Sequence, residues 1–192
     1  MFIEEPSLED ERVRARYEEV RSDMGYVMNY ARAWGWIPEV EATFRQARLA
    51  LDATTGLSPR ERALVVVASA ATFKDAGCSL AWGKKLATLS DAETAATIVS
   101  GGDATTLTAR ERELVRWARR VVTDANATTR DHVGELRSVG FGEREIVEAT
   151  VLVAFRVAFA MVNDALGVLP DRELLQAAPD VLRNAVTFGR CP

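Results

Sequence analysis

Ser58-Pro59-Arg60-Glu61-Arg62-Ala63-Leu64-Val65-Val66-Val67-Ala68 is the stretch that decides the fold. Its first four residues form a capping box with proline at the first helical position, where a missing N–H costs nothing. The Leu64–Ala68 run that follows is apolar all round, so the helix it opens should be central. A second copy of the signal lies further on. Leu57-Ser58-Pro59-Arg60-Glu61-Arg62-Ala63-Leu64-Val65 matches Leu107-Thr108-Ala109-Arg110-Glu111-Arg112-Glu113-Leu114-Val115. Either both are generic capped starts, or each opens a long helix of one bundle. A single echo does not make a solenoid, which needs three or more repeats. The second helix keeps a polar face with Arg112, Glu113, Arg116, Arg119 and Arg120, so it should lie outside.

Outward from these two helices the chain stays helical. Proline occurs at 6, 38, 59, 170, 179 and 192, so Arg60 to Leu169 contains none. Apolar residues there recur at the 3.6-residue period with few strand-like alternations. The pattern predicts helices at about 8–23, 25–34, 38–53, 59–74, 76–89, 91–99, 109–124, 129–138, 143–167 and 171–187, the last broken at Pro179. Ser90-Asp91-Ala92-Glu93 is a third expected capping box. Gly101-Gly102, Gly140-Phe141-Gly142 and Gly167 punctuate. Phe155 to Val162 is apolar on every side and should cross the core. The expectation is all-α and a single domain, 1–192, with 1–24 a helical N-terminal extension and 171–192 a C-terminal tail.

Composition narrows the function. The chain has 192 residues, 48% hydrophobic and 27% charged, enough to bury a core without staples. Its net charge of −4 gives no electrostatic footprint for a phosphate backbone, so no nucleic-acid partner is expected. Met1-Phe2-Ile3-Glu4-Glu5-Pro6 has no apolar core of a secretory signal. The Ala149–Val162 run is too short for a span of ~20 residues, so no membrane association is expected. The protein should be cytoplasmic, where a disulfide between Cys78 and Cys191 would not persist, and Cys191 should fray. One histidine, His132, and no Cys-x-x-Cys leave no metal site and no cofactor. His132 itself fits a solvated helix start, and Glu9 to Arg21 a solvated face with Val13, Tyr17 and Val20 turned inward.

The order of elements carries a resemblance. Arg60-Glu61-Arg62-Ala63-Leu64-Val65 leads through an apolar helix to Gly77-Cys78 and Leu80-Ala81-Trp82. Then come the Ser90 box, the second capped helix, Val139-Gly140-Phe141-Gly142-Glu143-Arg144-Glu145-Ile146-Val147-Glu148, and Asp164-Ala165-Leu166-Gly167-Val168. From Tyr26 to Asp171 this resembles the carboxymuconolactone decarboxylase and alkylhydroperoxidase D (AhpD)-like superfamily. The resemblance implies an AhpD-like helical bundle and a homo-oligomer, dimer, trimer or hexamer. Tyr26 to Ile37, with Trp34 and Trp36, could supply interface area.

Peroxidase members of that family use a helix-borne Glu, a Cys-x-x-Cys and a His four residues beyond it. The second Cys attacks peroxide, the first resolves the sulfenate, and Glu and His relay the proton. On this sequence the second Cys falls on Cys78, the first on Asp75, the His on Trp82 and the Glu on Ala63. The resemblance therefore implies a degenerate site with weak or absent peroxidase activity. The decarboxylase branch, which lacks the Cys pair, gives a precedent for lyase chemistry.

The remaining residues each carry two readings. Cys78, in the first turn of a helix, is either a small buried residue or a pocket thiol whose pKa the helix dipole lowers and Asp75 opposes. Asp75 is an N-cap for Gly77 or Cys78, or a carboxylate usable as a general base. Trp82 is core filler or a stacking platform, with Gly83 leaving room beside its ring. Arg156 sits in an apolar helix, where a buried guanidinium needs a partner. It snorkels, pairs with a carboxylate, Asp75 being preferred, or anchors a substrate carboxylate. Phe159, one turn on, would line the same pocket. The expected activity is a cofactor-free lyase, decarboxylase or isomerase acting on a small anionic or unsaturated ligand. A single-Cys thiol peroxidase using Cys78 and a non-catalytic ligand-binding relic stand as alternatives.

Overall fold

A computed structural model describes residues 1–190; the expectation for Cys191 lies outside them. The described residues contain helices and no strand. The helices are α1 (Glu11–Met24), α2 (Asn29–Trp34), α3 (Pro38–Thr54), α4 (Pro59–Phe73), α5 (Ala76–Leu89), α6 (Ala92–Val99), α7 (Ala109–Asp124), α8 (Arg130–Ser138), α9 (Glu143–Ala165), α10 (Arg172–Ala177) and α11 (Asp180–Ala185). A 3-10 turn, Ala125–Ala127, follows α7.

α4 is the axis of the bundle. Ala63 through Ala68 have no exposed surface, and α5, α6, α7 and α9 pack around them. Leu64, Leu80, Leu86, Ile98, Leu114 and Leu136 fill the space between. α7 turns Leu114, Val115, Trp117 and Ala118 inward and leaves Arg116 in solvent.

The two echoed capping boxes are bound to each other. Glu61 accepts from Ser58 N–H at 2.8 Å, and Glu111 from Thr108 N–H at 2.9 Å. Arg60 of α4 donates to Glu111 at 2.6 Å, and Arg110 of α7 donates to Glu61 at 2.7 Å. Arg110 also reaches Glu145, which caps α9, at 2.5 Å, and its guanidinium lies 3.6 Å from the centroid of Phe141. Three helix starts are thereby fastened at one point.

Four expectations need correction. α9 does not cross the core between Phe155 and Val162. Leu152, Arg156, Ala160 and Asn163 face inward, while Ala154, Ala158 and Met161 are exposed on its outer face. Trp34 offers no interface area, because it is buried and donates to Asn163 Oδ1 at 2.9 Å; Trp36 and Ile37 remain exposed. The α6 cap is Asp91, accepting from Thr94 N–H, and Ser90 closes α5. Gly83 makes room for Leu182 rather than for Trp82, since a Cβ there would lie 2.7 Å from Leu182 Cδ1.

The clamp can be weighed. Arg110→Ala should lower stability by about 1–3 kcal/mol, because it strips charged hydrogen bonds from half-buried carboxylates. Arg116→Ala, which removes an exposed pair with Glu113, should change it by about 0–1 kcal/mol. Burial opposes ionisation of Glu61, but Arg110 and the Ser58 groups hold its carboxyl below the usual range. Its contribution is therefore present above the ordinary carboxylate pKa and is lost as pH falls through the folded value. Urea unfolding at two pH values measures all three effects, and an Arg110→Ala protein as stable as its parent would remove the clamp as a source of stability.

Candidate functional site

The site begins at the corner between α4 and α5. α4 ends on Lys74, whose φ of 68° is the one positive non-glycine φ among the described residues. That left-handed turn sets Asp75 at the N-cap of α5, where its Oδ1 accepts from Cys78 N–H at 2.9 Å. Asp75 Oδ2 is buried with no hydrogen-bond partner among the described residues. One turn beyond Cys78 on the same face stands Trp82, and beyond it Lys85, whose Nζ is 4.6 Å from the Trp82 ring centroid.

α9 supplies the opposite wall. Phe155, Arg156, Phe159 and Asn163 follow the i, i+1, i+4, i+8 spacing that puts side chains on one face. Arg156 is buried, yet it makes no ion pair with any carboxylate among the described residues. Its Nη1 donates to Cys78 Sγ at 3.5 Å, its Cζ lies 5.3 Å from the Trp82 centroid and 5.5 Å from that of Phe159, and its Nε has no partner. The expected Arg156–Asp75 pair is not formed. Asp75 spends one oxygen on the α5 cap, and Arg156 turns to the sulfur and the two rings instead.

The third wall comes from α2 and α3. Phe159 stacks on Trp34 at 5.6 Å and meets the edge of Tyr30 at 5.2 Å. Phe44 of α3 touches Phe155 at 5.4 Å. Together these elements line a half-open cavity of about 460 Å³ that Asp75, Cys78, Trp82, Arg156, Phe159 and Asp164 all border. The five residues singled out in the sequence thus meet in one place. Asp164 and the aromatic wall were not singled out. The i+8 spacing from Arg156 to Asp164 on one helix was the available signal.

Electrostatics divides the acids from the thiol. Burial pushes the Cys78 thiol up to about 12; Arg156 opposes this and Asp75 adds to it. Desolvation of the thiolate is the largest cause, which favours the reading of Cys78 as a small buried residue over that of a thiol with a lowered pKa. Burial, with the charge of Asp75 behind it, raises Asp164 to about 6, against the pull of Arg190. The site therefore holds a neutral thiol, a carboxyl raised to about 6 and a guanidinium near two aromatic rings with no ion pair among the described residues. No group of three His, Cys, Asp or Glu that could hold a metal occurs among the described residues.

No protein-family model matches the sequence, and no curated protein matches it. Solved structures do match. A peroxidase-related protein of Ralstonia eutropha JMP134, described as an alkylhydroperoxidase AhpD core, superimposes with a TM-score of 0.80 at 22% identity, covering 90% of this chain and 93% of that one. A peroxidase-related protein of Silicibacter sp. TM1040 gives the same values. The debrominase Bmp8, as a Cys-to-Ala variant in complex with 2,3,4-tribromopyrrole, follows at TM-score 0.74 and 13% identity, covering 92% and 95%. The chain has the AhpD-like fold.

The thiol assignment is directly testable in a Cys191→Ser background. A rise from 9.0 to about 12 leaves roughly a thousandfold less thiolate at pH 8, so iodoacetamide should label Cys78 far more slowly in the native than in the unfolded protein. Asp75→Asn, which keeps a capping side chain, should speed labelling, and Arg156→Leu should slow it further. Native labelling at the unfolded rate would contradict the assignment.

Proposed function

We propose that the cavity binds a small unsaturated or aromatic carboxylate, and that the chain is a cofactor-free enzyme of lyase, decarboxylase or isomerase type acting on it. The observation that carries this reading is Arg156, a buried cation with no carboxylate partner among the described residues, near the Trp82 and Phe159 rings on the cavity wall. Desolvating a charge costs several kcal/mol when no opposite charge is beside it. A ligand carboxylate supplies that charge, and its plane lies against the aromatic walls. The Arg fork then fixes its orientation through two parallel hydrogen bonds.

Proton transfer is assigned to the acids. Asp164, poised at about 6, can donate to a carbon or oxygen that gains electron density, and Asp75 can receive a proton on its free Oδ2. Cys78 stays neutral and acts as a packing surface beside Arg156. Support from a neighbour of the same fold is limited to one point: Bmp8 holds a small flat heteroaromatic ring.

The residual thiol peroxidase remains the second reading, favoured by the single contact between Arg156 and Cys78 Sγ. Burial of the thiol, and an Asp where a resolving Cys would stand, weigh against it.

A thermal-shift screen of small carboxylates tests the first reading. Aromatic and unsaturated monoacids should raise Tm, and their corresponding amides should not. Arg156→Leu should abolish the shift, while Arg156→Lys should keep part of it, having charge without the fork. A screen in which acids and amides behave alike would end the proposal.

Peroxidase assays test the second. Turnover of alkyl hydroperoxides with dithiol donors should be negligible, because no disulfide can form between positions 75 and 78. Steady turnover that vanishes in Cys78→Ser would reverse the order of the two readings.

A further inference from the structure

We propose that the cavity has a second polar subsite, formed by Glu41 and Tyr30, that takes a hydroxyl group on the ligand. The ligand is then a one-ring or similarly flat acid with a hydroxyl at the end away from its carboxylate. The acid end rests on Arg156 as read above, whereas the hydroxyl end rests on Glu41 and Tyr30 alone.

Glu41 stands on α3 and is only 5% exposed. Its Oε1 accepts from Arg16 Nη2 of α1 at 2.7 Å, and the same nitrogen donates to the Tyr30 hydroxyl at 3.3 Å. Glu41 Oε2 has no hydrogen-bond partner among the described residues. Both Glu41 and Tyr30 line the cavity that holds Arg156. A buried carboxylate oxygen left without a donor is destabilising. Replacing such an ion pair by apolar side chains of similar volume is often neutral or stabilising, so folding alone does not account for it.

The two atoms define what would fit. Tyr30 already accepts from Arg16, so its own O–H is free to donate. Glu41 Oε2 can only accept. A hydroxyl answers both, donating to Glu41 and accepting from Tyr30, whereas an ammonium or an ether answers one.

Phe159 neighbours both subsites: Arg156 Cζ lies 5.5 Å from its centroid and the Tyr30 ring 5.2 Å from it. A ligand lying along Phe159 would reach Arg156 with one end and Glu41 with the other. Phe44, Phe155 and Trp82 complete the apolar middle.

Titration calorimetry with benzoate, 4-hydroxybenzoate, 4-methoxybenzoate, phenol and anisole decides the matter. The wild type should bind 4-hydroxybenzoate about tenfold or more tightly than 4-methoxybenzoate, the usual effect of a hydrogen bond to a charged acceptor. Arg16→Met with Glu41→Leu removes the pair together, stranding no charge. That variant should bind benzoate within twofold of wild type and lose the hydroxyl preference. Tyr30→Phe, which leaves the ion pair intact, should cut the preference at least threefold and serves if the double variant does not fold. Benzoates that bind without a hydroxyl preference would overturn the subsite while leaving the Arg156 reading in place. Benzoates that fail to bind, with phenol still stronger than anisole in the wild type and equal to it in Tyr30→Phe, would uphold the subsite and overturn the Arg156 reading. No discrimination in either series, or a preference that survives all variants, overturns the subsite.

Discussion

The reciprocal pairing of Arg60 with Glu111 and Arg110 with Glu61 is the constraint on which the rest of the molecule depends. Each glutamate does two jobs with one carboxylate. It satisfies an N-cap N–H that a helix start leaves open, and it holds an arginine from the other helix. Glu145 joins the same knot through Arg110 at the start of α9. Helices are stiff and rise 1.5 Å per residue, so three fixed origins fix everything downstream. Arg156 lies about 16 Å along α9 from Glu145. Cys78 follows the far end of α4. The knot therefore sets, from the opposite end of the bundle, where the guanidinium and the thiol meet.

At that far end the molecule stops being locally consistent. Around α4 the apolar pattern, the caps and the packing agree, as they do in a well-funnelled sequence. At the cavity a guanidinium lacks an anion, two carboxylate oxygens, of Asp75 and Glu41, lack donors, and Asp164 is raised to about 6. Each of these costs stability, and all of them border one space. That shared border is what makes the cavity the candidate site; Arg16 Nε, Tyr17 Oη and Ser79 Oγ, outside its lining, also lack a hydrogen-bond partner among the described residues. The stability that the core and the knot contribute is what allows the chain to carry them.

The sequence made the scaffold legible and the site only partly so. The capping boxes and the all-apolar Leu64–Ala68 run located α4 and α7, because caps and periodicity are local properties. The echo between them pointed to paired helices but could not show that Arg60 and Arg110 trade glutamates. Asp75, Cys78, Trp82, Arg156 and Phe159 do share one cavity, since helical spacing puts each on the facing side. Their bonding was not legible. Whether Arg156 turns to Asp75 or to Cys78 depends on a rotamer and on an Asp oxygen already used as a cap. α9 misled because alanine is apolar but small: Ala154 and Ala158 read as core and sit in solvent. Glu41 and Arg16 were lost among charged residues, because a buried pair and a solvated face have the same composition. Only the fold brings residues 25 positions apart into a 2.7 Å contact.

α2 and α3 belong to the candidate site and not merely to its periphery. α4, α5 and α9 alone would leave Arg156, Trp82 and Phe159 facing water, where a guanidinium gains little from a carboxylate. α2 and α3 place Tyr30, Trp34 and Phe44 across that opening. Asn29 ties α2 to the far rim by donating its N–H to Asp171 at 2.7 Å and its side-chain amide to Leu169 O at 3.1 Å. Closing the opening lowers the local dielectric, which strengthens each charge–charge contact inside and raises the penalty for each one left unmade. Selectivity follows from that penalty. Under the proposed function, a ligand lacking the group that would answer Arg156 or Glu41 would leave a desolvated charge unanswered, a larger loss than an apolar contact would return.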